Sequence, residues 1–340
     1  MSTLVDGQLS FLFSEAEITK SCVLAKDCAL QHALKRRVAA GSVLNVAPCL
    51  YARTEYWKRL GWRGRHLHVM RGLSELHPEW VFCFISAAIV HGFEVSRLLP
   101  NDVHIASIHA RRAGPIVHHV MKNPEVCTVD GIKVTSAVQT VLDCARYLSF
   151  PLALSVADSA VRAAGSSAST LTDALATSCK GMRGIRRALA IAQLADGKSE
   201  NGGESYTRAI ILEQGVKPPE LQVTYVDPFD RRRTFRTDFG WLGLPTGDVS
   251  GELDGVEKSE DPAMLNGRTA RDVLRAERMR ESRLTALGLK VARFSFRQVR
   301  DVYPLLDILD GFGVPRSPGN AVSVPDPLSV AGDMRYGWVR

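Results

Sequence analysis

The chain has 340 residues, of which 45% are hydrophobic and 23% are charged, a balance typical of globular proteins with buried apolar cores. The longest apolar run, residues 80–90, is about half as long as a membrane-spanning helix. The N-terminal residues lack the pattern of a secretory signal. The seven cysteines include no CxxC pair, which argues against a zinc knuckle or a disulfide framework. We therefore predict a soluble, cytoplasmic protein with no membrane partner.

The formal net charge is +7, and its basic excess is concentrated in the first 75 residues, which contain 11 Lys and Arg against 6 Asp and Glu. This sign suits a segment that meets a phosphate backbone. Many proteins without nucleic-acid partners are equally basic, so charge alone does not identify DNA as the partner.

Residues 1–75 are predicted to form a winged helix-turn-helix. Ser14 and Glu17 have the spacing of a capping box, which predicts that a helix begins there. Asp27 is the predicted N-cap of a second helix, and Gly41 is its predicted end. Residues 43–53 alternate like two short strands and predict a hairpin. In this motif the second helix enters the major groove and the hairpin lies along the backbone.

Three consecutive basic residues on the predicted second helix, Lys35, Arg36 and Arg37, are our candidates for DNA contacts. The apolar residues of this helix recur at helical spacing and leave the basic ones to solvent. The alternative is a small helical domain whose basic residues are merely solvated. Both interpretations remain open at this point.

Residues 76–200 are predicted to form a mixed middle domain. It contains a buried helix that ends near residue 92, followed by short strands and then amphipathic helices. Two histidine pairs, His66 with His68 and His118 with His119, have no acidic or thiol partner at ligand spacing, so we interpret them as structural or exposed. The segment ends in a predicted linker, residues 196–203, rich in Asp, Gly, Ser and Asn.

Residues 201–310 are predicted to form a helix, three strands, a long helix and a final strand. The chain as a whole is therefore assigned to the α/β (α+β) class. Residues 311–340 show no periodicity and are predicted to be a disordered tail.

Acidic residues on two neighbouring predicted strands of this last domain suggest a metal site. Asp238 lies on one strand, and Glu252 and Asp254 lie two residues apart on the next, so the last two share a face. Clustered carboxylates repel one another unless a hard cation such as Mg²⁺ lies between them. We predict Asp238 and Glu252 as metal ligands, for Mg²⁺ or Mn²⁺, and Asp254 as a third ligand or a residue that orients water.

Three further residues are assigned to this catalytic site or its DNA contacts. Glu204, at the start of a predicted helix, could complete the acidic cluster. Lys258 could reach the phosphate or activate water, and Arg278 could contact phosphate through its fork of donors. Each assignment has an ordinary alternative, since Asp254 could only close an Asp-Gly turn and Arg278 could only pair with a glutamate of its own helix.

The motifs of residues 204–300 resemble a very-short-patch-repair-type endonuclease domain of the PD-(D/E)XK superfamily. They are the opening glutamate, RTDFGW, GELDG and the closing LGLKVARF. The resemblance implies a restriction-endonuclease-like mixed sheet flanked by helices, with acidic residues near one end of the central strands. It also implies Mg²⁺-dependent cleavage of DNA. Asp254 stands where the superfamily pattern has its lysine, so this sequence departs from the pattern at that position.

The N-terminal 200 residues resemble proteins with an abortive-infection (AbiEi-like) type IV antitoxin domain. The matching features are the helix order, FISAAIVHGF at residues 84–93 and VTSAVQTVLDCAR at residues 134–146. The resemblance implies a DNA-binding regulator, and it leaves a cognate toxin or another protein open as a partner. Two hypotheses follow: a Mg²⁺-dependent DNA endonuclease with a role in defence, or a transcriptional regulator whose nuclease-like fold is catalytically silent.

Overall fold

The computed structural model describes residues 2–254 and 270–328, in which helices alternate with several small sheets. This confirms the predicted mixed α/β class. The described residues form two compact units. The first contains the residues up to Tyr147, residues 173–188 and Leu328, and the second contains residues 148–172 and 189–327. Within the described ranges, no helix combines the length and the apolarity needed to cross a membrane.

The first unit opens with helices around a three-stranded antiparallel sheet in the order β1-β3-β2. Its elements are α1 (Ser2–Ile18), β1 (Val23–Leu24), α2 (Cys28–Ala39), β2 (Val43–Ala47), β3 (Leu50–Arg53), α3 (Thr54–Arg59) and α4 (Trp62–Leu76). Asp27 caps α2 as predicted, since its carboxylate accepts a hydrogen bond of 2.7 Å from the amide of Leu30. The predicted hairpin is also confirmed, as β2 and β3.

The helix start predicted at Ser14 is wrong. Ser14 lies inside α1, and its hydroxyl donates to the carbonyl oxygen of Ser10 one turn earlier. Leu9 and Phe13 are buried in the small core of this region, so apolar packing extends the helix upstream of the apparent cap.

The rest of the first unit surrounds a buried helix, as predicted for the apolar run. The elements are α5 (Phe84–Val90), β4 (Val103–Ser107), β5 (Arg111–Ala113), β6 (Ile116–Val120), β7 (Val126–Val129), β8 (Ile132–Thr135) and α6 (Ala137–Tyr147). All seven residues of α5 are buried. Strands β4, β6 and β5 form one sheet and β7 pairs with β8. His66 and His68 lie buried on α4, and His119 lies buried on β6.

Three helices follow, α7 (Phe150–Ala164), α8 (Ala168–Ser178) and α9 (Ile185–Gln193). Helix α7 belongs to the second unit, where it packs against α10 (Gly202–Glu213). A buried ion pair joins these helices, with Arg208 Nη2 2.6 Å from Asp158 Oδ1. The second unit therefore begins well before the boundary predicted at residue 201.

The second unit is built on a four-stranded mixed sheet in the order β12-β11-β10-β9. Its remaining elements are β9 (Glu220–Val226), β10 (Thr234–Trp241), β11 (Val249–Asp254), α11 (Ala270–Ala286), β12 (Lys290–Ser295), α12 (Phe296–Asp301) and α13 (Tyr303–Gly311). Strands β9, β10 and β11 are antiparallel, and β11 runs parallel to β12. Phe239, Trp241 and Phe294 are fully buried in the core between this sheet and its helices.

The first part of the predicted disordered tail is ordered. Val314 is buried in the core of the second unit, and the amide of Ser317 donates to the carbonyl oxygen of Gly215. Val322 likewise donates to Leu212 at the end of α10. Backbone hydrogen bonds to the end of α10 therefore fix the position of this segment, although its sequence has no apolar periodicity. Residues 329–340 lie outside the described residues.

Candidate active site in the second unit

The two central strands place Asp238 and Glu252 side by side. Phe239 pairs with Gly251 in the antiparallel register of β10 and β11, and one step further along this register Asp238 faces Glu252. Side chains directly opposite each other on an antiparallel pair lie on the same face. Asp238 Oδ2 also accepts a hydrogen bond of 2.9 Å from the amide of Leu253. Asp238 and Glu252 therefore lie on the same face of two neighbouring strands, and the charge of Asp238 acts on Glu252.

Glu252 lies in a largely dry position with two arginines beside it. The residue is only 7% exposed. Its Oε1 is 2.6 Å from Arg280 Nη1, and its Oε2 is 3.8 Å from Arg293 Nη1. Burial raises the pKa of Glu252, the two arginines oppose this rise, and the nearby charge of Asp238 adds to it. Glu252 is thus a buried carboxylate on a central strand, not an exposed one at the edge of the sheet.

Glu204 joins these carboxylates from the helix. Asn201 caps α10, and its side-chain amide donates to Glu204 Oε1 at 2.5 Å. The amide of Glu200 and the side chain of Gln222 donate to Glu204 Oε2 at 2.7 and 2.9 Å. Burial, followed by the charge of Asp238, raises the pKa of Glu204 to about 7, although these hydrogen bonds favour its ionised form.

Gln222 is the residue of this site with an unusual backbone. It lies opposite Asp238 in the register of β9 and β10, between the pairs formed by Val223 with Thr237 and by Leu221 with Phe239. Its φ of +55° falls in the left-handed region, which a glutamine adopts at a cost of about 1–3 kcal/mol. Such strained positions cluster at functional sites. Here the strained residue supplies a hydrogen bond to Glu204.

Asp254 lies two residues beyond Glu252 and interacts mainly with Arg293. Arg293 Nη2 donates to Asp254 Oδ1 at 2.5 Å, and Nε of the same arginine donates to this oxygen at 3.1 Å. The carboxylate is 46% exposed. Asp254 therefore lies at the edge of the cluster, where its charge is matched by a guanidinium group.

The chemistry of the donors suits a divalent cation, but the predicted convergence of three carboxylates does not occur. In the part of the chain that the structure describes, no group of three or more His, Cys, Asp or Glu side chains is placed to hold a metal ion. Asp238 and Glu252 nevertheless supply adjacent hard oxygen donors, as Mg²⁺ and Mn²⁺ prefer. The guanidinium of Arg280 already lies against Glu252 as a cation, so a metal ion would replace one positive charge by another.

The remaining predicted residues fall in three places. Lys258 lies outside the described residues. Arg278 is exposed on α11 and takes part in no ion pair among the residues with described positions. On α2, Lys35 and Arg36 are exposed, whereas Arg37 is half-buried and donates to the carbonyl oxygen of Ala33. Arg37 is therefore oriented along its own helix.

Sequence reasoning missed Gln222, Arg280 and Arg293. The N-cap Asn201 was missed as well, although it lies three residues before Glu204, a spacing typical of a helix cap that could have been recognised from the sequence. Arg280 reaches Glu252 from α11, and Arg293 lies opposite Glu252 because β12 pairs in parallel with β11. No local pattern carries that information.

Comparisons with known proteins give only remote relatives. The chain is 28% identical over 190 residues to an uncharacterized protein of Mycobacterium tuberculosis strain CDC 1551, a match that covers 56% of this chain and 68% of the relative. An uncharacterized protein of strain H37Rv matches to the same extent. No protein-family model and no solved structure matches the chain.

Proposed function

We propose that this chain is a DNA-binding protein whose second unit has a restriction-endonuclease-like fold and a Mg²⁺-dependent nuclease site. The observation that carries the proposal is the position of Asp238 on β10, beside the buried Glu252 of β11 and hydrogen-bonded to the amide of Leu253. Two carboxylates thus lie on the central strands of a mixed sheet, and the charge of Asp238 also acts on Glu204 of α10. The resemblance of residues 204–300 to very-short-patch-repair-type endonucleases implies the same arrangement.

In this proposal Asp238 and Glu252 hold the ion. A bound Mg²⁺ would supply positive charge to offset the scissile phosphate and would lower the pKa of a water molecule. Glu204, with its pKa of about 7, can accept or release a proton near neutral pH. Arg280 and Arg293, once released from the carboxylates, can donate to phosphate oxygens.

The first unit would bring DNA to this site. Helix α2 and the hairpin of β2 and β3 have the order of a winged helix-turn-helix, in which the helix reads the major groove and the hairpin contacts the backbone. Lys35 and Arg36 are exposed on that helix and are available to phosphate. The resemblance to abortive-infection type IV antitoxins also implies DNA binding.

Nicking of supercoiled plasmid tests the nuclease proposal. The wild type should nick in Mg²⁺ or Mn²⁺ and lose this activity in EDTA, and Asp238→Ala and Glu252→Ala should lower the rate by at least about 100-fold. Asp307→Ala, which removes an exposed carboxylate of α13, is the matched control and should nick at the wild-type rate. Equal nicking by all four proteins would reveal a contaminating nuclease and remove the support for the site.

A second candidate is a transcriptional regulator, an AbiEi-like antitoxin, whose nuclease-like fold is silent. The ion pairs of Glu252 with Arg280 and of Asp254 with Arg293 favour it, because they neutralise the carboxylates without a metal. This candidate predicts no nicking, together with a gel shift of a specific promoter fragment that weakens as salt rises. A cognate toxin would then be sought as a co-purifying partner.

A further inference from the structure

The first unit contains a cavity that neither proposed function uses. Its volume is about 480 Å³, within the range of small-molecule sites. Helices α3 and α4 contribute Trp57, Trp62 and His66 to its wall, and the hairpin strand β2 contributes Asn45. Aromatic walls with a few polar groups are typical of sites for small organic ligands.

The indole rings of Trp57 and Trp62 form part of the cavity wall. Trp62 Nε1 donates to the side-chain oxygen of Asn101 at 2.7 Å, which fixes the orientation of this indole. The guanidinium of Arg65 lies 6.0 Å from the centre of the Trp57 ring, and it donates to the carbonyl oxygen of Trp57. Both indoles are half-buried, so each is held in place before any ligand arrives. Flat rings pack well against indoles held in this way.

His66 supplies a polar group at the wall of this cavity. It is 5% exposed, and its ring centre is 4.5 Å from that of Trp62. Its Nδ1 lies 3.2 Å from the carbonyl oxygen of Trp62, so Nδ1 carries the proton and Nε2 is left as an acceptor. Burial lowers the pKa of His66, which keeps the ring neutral. In the described residues Nε2 has no hydrogen-bond partner.

A second buried acceptor lies near His66. Asp102 does not itself line the cavity, although its neighbours Asn101 and Val103 do, and its charge acts on His66. Asp102 Oδ1 is 2.9 Å from Arg112 Nη2, whereas Oδ2 has no partner among the described residues. The acceptor at the cavity wall is therefore Nε2 of His66; a buried acceptor without a donor is costly, and a ligand with an N–H group would satisfy it.

We propose that this cavity binds a free planar heteroaromatic amine, a molecule of the aminopurine type, with its ring against Trp57 and Trp62 and its amino group at Nε2 of His66. The proposal is independent of the nuclease site, because every residue involved lies in the first unit. The flat ring accounts for the indoles, and the amino group accounts for the unsatisfied Nε2 of His66.

The probe is adenine, titrated into the full chain by calorimetry and by tryptophan fluorescence, with purine as the analogue that lacks the amino group. The wild type should bind adenine about tenfold or more tightly than purine, since a buried acceptor without a donor costs affinity. His66→Phe keeps an aromatic ring but removes the acceptor, and it should reduce this preference severalfold. Trp62→Ala should weaken both ligands by about tenfold.

Trp80→Phe is the matched control, because Trp80 stacks on His77 with ring centres 3.8 Å apart outside this cavity. It should leave both affinities unchanged. The wild-type comparison of adenine with purine needs no variant, so poor folding of a variant does not spoil the test. Absence of adenine binding at millimolar concentration, equal affinity for purine, or binding that folded Trp62→Ala retains in full would each overturn the proposal.

Discussion

Replacing Glu204 by glutamine should change how the stability of the second unit depends on pH. Burial raises the pKa of Glu204 to about 7 from an ordinary value of 4.5. At pH values between 4.5 and about 7, the carboxyl group of Glu204 is therefore protonated in the folded chain but ionised in the unfolded chain. The contribution of this group to stability is therefore fully present below pH 4.5 and is lost as the pH rises through 7.

The size of the effect follows from that shift. At about 1.36 kcal/mol for each unit of pKa, the complete shift corresponds to about 3.4 kcal/mol, of which about 2.5 kcal/mol of the free energy of unfolding is lost between pH 5 and pH 8. Solvent screening near the helix end reduces the expected loss to about 1–2.5 kcal/mol. Glu204→Gln should lack this loss. The variant should also be less stable than wild type at pH 5. In the wild type Glu204 Oε1 accepts a hydrogen bond from the side-chain amide of Asn201, whereas an NH₂ group of glutamine at that position would be a donor facing a donor.

Urea titrations at the two pH values, followed by tryptophan fluorescence, measure this difference. Trp241 is buried in the core of the second unit and reports its unfolding. Glu281→Gln, at an exposed position of α11, is the control and should keep the wild-type pH dependence. If wild type and Glu204→Gln lose equal stability between pH 5 and pH 8, Glu204 ionises as freely in the folded chain as in the unfolded one, and our account of the site is refuted.

Three further predictions concern packing and DNA binding. Arg208→Met leaves the carboxylate of Asp158 buried without its partner and should lower the free energy of unfolding by about 3–5 kcal/mol in calorimetry or urea titration; a loss below about 1 kcal/mol would contradict this. Gly215→Ala should cost about 2 kcal/mol or more, because φ is +68° and an added Cβ would collide with the carbonyl oxygen of Ser317. Arg36→Ala should weaken DNA binding and reduce its salt slope by about 1, as measured by fluorescence anisotropy, and an unchanged slope would remove Arg36 from the interface.

Local signals in the sequence predicted most elements of the second unit. Gly215 and Gly288 both have positive φ, as is typical of residues that end helices, and they follow α10 and α11 closely. The turn residues 227–230, Asp-Pro-Phe-Asp, lie between β9 and β10, the hairpin that carries Asp238. Each of these features depends on a few consecutive residues, so no knowledge of the tertiary structure was needed.

The errors arose where tertiary contacts decide the outcome. Ser14 carries a good cap pattern, but the packing of Phe13 and its neighbours continues the helix through it. Helix α13 was not predicted, although Leu305, Leu306 and Leu309 have helical spacing and are buried. The partners of Glu252 could not be predicted at all, because Arg280 and Arg293 come from elements whose positions depend on the order of the strands.

The ion pair that joins α7 to α10 has a practical consequence for anyone who isolates the second unit. A fragment cut at residue 201 would leave the guanidinium of Arg208 facing solvent or an apolar surface, without the acid that normally neutralises it. It would also remove the helix that packs against α10 and whose Ser155 hydroxyl donates to the carbonyl oxygen of Gly202. The smallest piece able to fold by itself should therefore start at about Leu148, more than fifty positions before the first motif that suggests catalysis.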